Sequence, residues 1–123
     1  MIKRKIEFEC EKILNQEVCG FVVEKDEDFE IIATANKAVD KEKEFYIPAK
    51  EFLYIKKNHN IVGIYHSHIV GSSEPSDFDL KTADLVCYPF IIYSLEKNTF
   101  NIHVPEYSDA NEDALSKLRK ELA

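Results

Sequence analysis

The sequence has no apolar run approaching the roughly 20 residues that a membrane-spanning helix requires. It also has no Cys-x-x-Cys pair, no internal repeat and no low-complexity tract or linker. The first absence excludes a helical membrane span. The second excludes a paired-cysteine zinc or redox motif, and Cys10, Cys19 and Cys87 are too few and too irregularly spaced for a disulfide framework. The third excludes solenoids and arrays. A signal-like start is missing too, because acids interrupt Met-Ile-Lys-Arg-Lys-Ile-Glu-Phe-Glu-Cys-Glu where a secretory signal needs its apolar stretch. The expectation is a protein of the reduced cytoplasm. Positive charge is scarce: 16 Lys and Arg stand against 23 Asp and Glu, a formal charge of −7. That balance argues against nucleic acid and against an anionic membrane surface, both of which are bound through Lys and Arg.

A chain of 123 residues has the length of one domain, and 45% hydrophobic content is enough for a packed core without staples. Apolar residues recur at near-helical spacing over residues 1–15, which predicts an amphipathic helix. Cys19-Gly20-Phe21-Val22-Val23 and Phe29-Glu30-Ile31-Ile32-Ala33-Thr34 read as a hairpin around the acidic residues 24–28. Phe45-Tyr46-Ile47 reads as a short strand, and Pro48 opens a helix over residues 49–58. Ile61-Val62-Gly63-Ile64-Tyr65-His66-Ser67-His68 has the pattern of a central strand that turns polar at its end. A Gly- and Ser-rich loop follows, then a helix from Ser76 to about Val86, a hairpin around Lys97-Asn98 and a charged helix over residues 109–122. The fold class is a single α/β domain.

His66 and His68, two apart on a strand, project from one face. Ser76 follows eight residues after His68, and Asp79 three after that. A loop that folds back sets Asp79, in the first turn of its helix, beside the imidazoles. Two neutral imidazoles and a carboxylate suit zinc, with a fourth position left for water. Ser76 and Asp79 also form a capping box, and the two roles are compatible because a capped helix start holds a carboxylate rigidly. With four His, seven Ser and eight Asp in the chain, chance produces this four-residue pattern in on the order of one such chain in two thousand. Coincidence is therefore a poor account of it. Cys19, in a buried-looking strand, reads as core packing, and Gly20 as a point of close backbone approach. His59 and His103 read as solvated and outward-facing.

His66-Ser67-His68, seven intervening residues, Ser76, two residues and Asp79 resemble the JAMM motif of the JAB/MPN metalloproteases. Glu17-Val18-Cys19-Gly20-Phe21 is similar to that family's Glu-x-Cys-Gly stretch, and Tyr46-Ile47-Pro48 to a stretch of its short prokaryotic and phage-type members. The resemblance implies an MPN-type domain over residues 1–105, with a mixed, curved sheet flanked by helices. Residues 106–123 form a charged helix or tail packed on that domain or extending from it. It implies one zinc per chain on His66, His68 and Asp79, Glu17 as proton acceptor and Ser76 as a donor to the tetrahedral intermediate. It implies hydrolysis of a peptide or isopeptide bond at the flexible C-terminal tail of a small, ubiquitin-like partner. A homodimer is compatible with it, and so is a non-catalytic scaffold or an accessory role in phage tail assembly. Ile69 stands where many members carry Pro, and the short connection over residues 35–45 leaves little surface for gripping a folded partner. An extended substrate is expected to pair its backbone with a sheet edge beside the ligand-bearing strand.

Overall fold

The computed structural model describes all 123 residues. Five strands form one mixed sheet in the order β2-β1-β3-β4-β5, where β1 is Cys19–Lys25, β2 Asp28–Thr34, β3 Asn60–His68, β4 Phe90–Ser94 and β5 Thr99–His103. All neighbours are antiparallel except β3 and β4, which run parallel. A parallel pair needs a crossover, and α3 (Asp77–Val86) supplies it. Helix α2 (Ala49–Asn58) links β2 to β3, α1 (Ile2–Glu11) precedes the sheet and α4 (Glu112–Leu122) follows it.

Each face of the sheet carries its own core. Ile2, Ile6 and Cys10 of α1 and Ala114, Leu118 and Leu122 of α4 recur every four residues, and both rows pack on Val22, Val62, Tyr65, Ile91 and Tyr93. The other face sets Phe21, Val23, Ile61, Ile64, Phe90 and Ile92 against Ile55 of α2 and Ala83 of α3. Alternation along β3 is broken once. Val22 pairs with Gly63 and Val23 with Ile61, so Val62 is an extra residue in the ladder. The bulge lets Ile61 and Ile64, three apart, face the same side, and His66 and His68 follow in phase with Ile64.

Several sequence expectations are corrected. The first helix ends at Glu11 rather than residue 15, and Ile13 and Leu14 are 42% and 63% exposed. The core-facing row is complete at Cys10, so nothing draws the chain into another turn. Phe45-Tyr46-Ile47 is not a strand: the Tyr46 N–H donates to Asn36 Oδ1 and its carbonyl accepts the Lys37 N–H, so its backbone is bonded within the loop, and the segment lays Phe45 into the core. No open edge adjoins β3, because β1 and β4 take both of its sides. The free edges are those of β2 and β5, each two strands away and therefore about 10 Å distant. The hairpin turn is the two residues Asp26 and Glu27, both at positive φ as a type I′ turn requires.

Gly20 lies in register with Tyr65. A Cβ there would stand 2.5 Å from the Ile32 carbonyl oxygen and 2.5 Å from the Tyr65 ring. The Tyr65 hydroxyl is buried without a hydrogen-bond partner. Two opposite outcomes follow for chemical denaturation. Gly20→Ala should lower stability by about 1–3 kcal/mol, since backbone must move. Tyr65→Phe should leave stability unchanged or raise it by about 1 kcal/mol, since it removes an unsatisfied hydroxyl; a loss above that size would show that the hydroxyl is bonded.

Candidate metal centre

His66 and His68 end the central strand, and α3 starts close beside them. Ser76 caps α3: its Oγ accepts the Asp79 N–H at 3.1 Å, and its own N–H donates to Asp79 Oδ2 at 3.0 Å. This closed capping box fixes the carboxylate, which is 1% exposed. Asp79 Oδ2 then lies 2.8 Å from His68 Nε2, and Oδ1 lies 3.1 Å from His66 Nε2. One ligand atom from each of the three residues falls within 4.8 Å of the others, and no other group of His, Cys, Asp or Glu converges in this way.

The imidazoles are oriented from behind. His68 Nδ1 lies 3.0 Å from the Ser72 carbonyl, which can only accept, so Nδ1 carries the proton and Nε2 faces the cluster. The loop that brings Ser72 there is tied to the β4–β5 turn: the Ser94 hydroxyl donates to the Gly71 carbonyl at 2.6 Å, and the Leu95 N–H donates to the His68 carbonyl at 3.0 Å. His66 is fully buried, with the Phe45 ring stacked on it at 4.4 Å and Phe90 edge-on at 5.4 Å. Neither of its ring nitrogens makes a hydrogen bond, and the 3.1 Å approach to Asp79 is not aligned for one. Each unsatisfied buried polar atom costs about 1–3 kcal/mol. A cation between His66, His68 and Asp79 would satisfy Nε2, the His66 nitrogen that faces Asp79, and the donor set of two nitrogens and a carboxylate oxygen is one that zinc accepts. The residues fit the metal.

Charge follows the same geometry. Burial disfavours the charged form of Asp79, but the close approach of the two imidazoles and the bond from the Ser76 N–H outweigh it and hold the carboxyl well below the usual range. Burial keeps His66 below the ordinary imidazole range. Burial opposes charge on His68 as well, yet its bonds to Asp79 and the Ser72 carbonyl push it up.

Glu17 lies between α1 and β1 and is buried, with Oε1 unpartnered. Burial pushes its carboxyl up to about 8; the His68 charge pulls it down, while Asp79, Glu44 and Asp40 push it further up. That coupling places Glu17 in electrostatic reach of the cluster. The next residue is clamped to the ligand strand, since the Val18 N–H donates to Ser67 Oγ at 2.9 Å and the Ser67 N–H to the Val18 carbonyl at 3.0 Å. His66, His68, Ser76 and Asp79 thus meet at one end of β3, with Glu17 in electrostatic reach of them. Ser76 is exposed, and because its Oγ accepts the Asp79 N–H, its own proton remains free to donate outward. Cys19 is buried with its thiol pushed up to about 11 by burial, as a packing residue would be. His59 is exposed and His103 half-buried, and neither joins the cluster.

Sequence reasoning missed Ser67, Phe45 and Asn36. Ser67 and Asn36 act on backbone groups, which leave no spacing pattern, and Phe45 was assigned to a strand. Phe45 and Phe78 also line an apolar cavity of about 570 Å³ between α2 and α3.

No helix of the molecule is long and apolar enough to cross a membrane. None of the curated proteins matches the sequence. The fold is shared with a number of solved structures, and two of them illustrate the likeness. One is the solution structure of protein DSY2949 from Desulfitobacterium hafniense, 18% identical, with 92% of each chain covered and a TM-score of 0.59. The other is described as JAMM, a metalloprotease-like zinc site in the proteasome and signalosome; it is 15% identical over 89% of this chain and 87% of that one, with a TM-score of 0.53. Residues 3–105 match the family described as prokaryotic homologs of the JAB domain, and with most of its length so matched the chain belongs to that family.

Proposed function

We propose that this chain is a cytoplasmic, zinc-dependent peptidase or isopeptidase, with one zinc held by His66, His68 and Asp79. The observation that carries the reading is the buried His66 ring, with both nitrogens unpartnered beside a carboxylate locked by its own helix cap. The neighbour described as a metalloprotease-like zinc site supports it through the shared fold. A zinc ion there supplies a polarised carbonyl and a water of lowered pKa. Glu17 accepts the proton released by the attacking water and returns it to the departing amine. Ser76 donates its free hydroxyl proton to the developing oxyanion, a contribution of about 3 kcal/mol. A cation on the three ligands would oppose the upward push that burial gives Glu17 and so favour its carboxylate form.

The substrate is the flexible C-terminal tail of a small, ubiquitin-like protein, or a conjugate through such a tail. Residues 35–48 contain no helix or strand that could grip a folded partner, which favours a tail and weak affinity for isolated ubiquitin. The cavity beside Phe45 and Phe78 has room for an apolar side chain farther along that tail. A panel of tail-extended small proteins tests this. Gly-ended tails should be cut faster than tails with a large residue at the bond; equal rates would remove the preference, and no cleavage of any member would favour the scaffold role.

Metal content should be about one zinc per chain, removable by a strong chelator, and His66→Ala or Asp79→Ala should abolish its retention. Full occupancy in either variant would overturn the ligand set. Retention should weaken on acidification, because the ligands bind only when deprotonated. The bonds that raise His68 move that loss to higher pH than an ordinary imidazole would show.

Roles separate by kinetics at constant metal. Glu17→Gln should keep zinc and lose about 10²–10⁴-fold in turnover. Ser76→Ala should also lose turnover and, through the lost cap, about 1 kcal/mol of stability by thermal denaturation. A metal-loaded Glu17→Gln variant with unchanged turnover would take Glu17 out of the mechanism.

A further inference from the structure

Glu17 has no regular structure of its own to hold it. Residues 12–18 belong to neither a helix nor a strand, and 35–48 are likewise irregular. The Glu17 N–H donates to the Lys41 carbonyl at 2.7 Å, within a charged surface loop. Its carbonyl accepts a bond from Asn36 Nδ2 at 2.9 Å. Asn36 is 5% exposed, and the same Nδ2 also donates to the Glu44 carbonyl at 2.9 Å. Its Oδ1 accepts the N–H groups of Ala38 at 2.9 Å and Tyr46 at 3.1 Å. Two donors and two acceptor sites are all that a primary amide has, and all four are used. Every partner is backbone.

Those partners are not scattered. Glu17 is one, and Glu44 and Tyr46 bracket Phe45, whose ring stacks on His66. Asn36 therefore ties the segment carrying the proposed base to the segment that walls the first histidine. The ligands themselves sit on β3 and α3 and have their own supports, the capping box and the Ser72 carbonyl. From this arrangement we propose that Asn36 is a positioning residue, setting where the Glu17 carboxyl stands relative to the His66–His68–Asp79 cluster. It rests on the hydrolase reading only for its kinetic consequence. The structural part, that Asn36 holds residue 17 in place, stands apart from any activity.

The experiment uses the full chain with zinc bound and has two arms. In hydrogen exchange, Asn36→Ala should speed exchange of the Glu17 amide by about tenfold or more. The amides of Phe21 and Ile64 in the sheet should keep their protection, and zinc content should stay unchanged. In kinetics, Asn36→Ala should lower turnover about tenfold or more in the wild-type background and less than twofold in the Glu17→Gln background. General loosening of the fold would reduce both backgrounds alike. Should Asn36→Ala fail to fold, the exchange arm is read in Asn36→Asp, which keeps one oxygen facing the Ala38 and Tyr46 N–H groups and sets an acceptor-only oxygen against the Glu17 and Glu44 carbonyls, so residue 17 loses its tie in that variant too. Unchanged exchange at Glu17, or equal losses in the two backgrounds, overturns the proposal. A wild-type protein that hydrolyses nothing would sink the hydrolase reading instead, and the exchange arm would still decide the role of Asn36.

Discussion

Asp79 has one carboxylate and three claims on it: the first turn of α3, His66 and His68. Its Oδ2 serves both the Ser76 N–H and His68, while Oδ1 approaches His66. A carboxylate accepts at several lone-pair positions, so the claims can be met together. Meeting them fixes the start of α3 against the end of β3. The helix that closes the parallel crossover is thus anchored through the same side chain that completes the candidate metal centre. Removing that carboxylate would loosen the cap of a helix and leave the buried His66 ring and the half-buried His68 ring without their shared neighbour.

The position of the cluster follows from the sheet. β3 is paired on both sides and buried on both faces, so its C-terminal end is a rigid platform. Open α/β sheets commonly place sites at the carboxyl ends of their strands. Here the placement depends on one irregularity. Without the extra residue at Val62, the alternation of β3 would turn His66 and His68 toward α1 and α4, away from Asp79.

A stability-only design would not leave Glu17 Oε1 and both His66 nitrogens buried and unpartnered. Protein sites often retain such costs where chemistry needs a group desolvated and free. The surrounding supports are correspondingly stiff. Phe45 and Phe90 enclose the His66 ring, Ser67 clamps Val18, and Asn36 uses its whole hydrogen-bonding capacity on the loop segments around Glu17. The flexible-looking stretches of sequence are held by side chains that bond to backbone.

Much of the site was legible in the sequence because its signals are local. The two-residue spacing of His66 and His68 puts them on one face of any strand, and Ser76 with Asp79 announces a capped helix whatever surrounds it. The hairpin over β1 and β2 and the helix after Pro48 are local in the same sense. Glu17 was legible only by resemblance, since its coupling to the cluster crosses the fold. Tertiary structure alone decided the rest. It denied Phe45–Ile47 a strand because the Tyr46 backbone groups are bonded to Asn36 and Lys37, and it excluded Ile13 and Leu14 because α1 had already filled its core-facing row. It also gave Asn36 and Ser67 their roles, through partners that are backbone atoms far away in the chain. Backbone groups are the same at every residue, so bonds to them leave no trace in the order of side chains; only folding shows which one is reached.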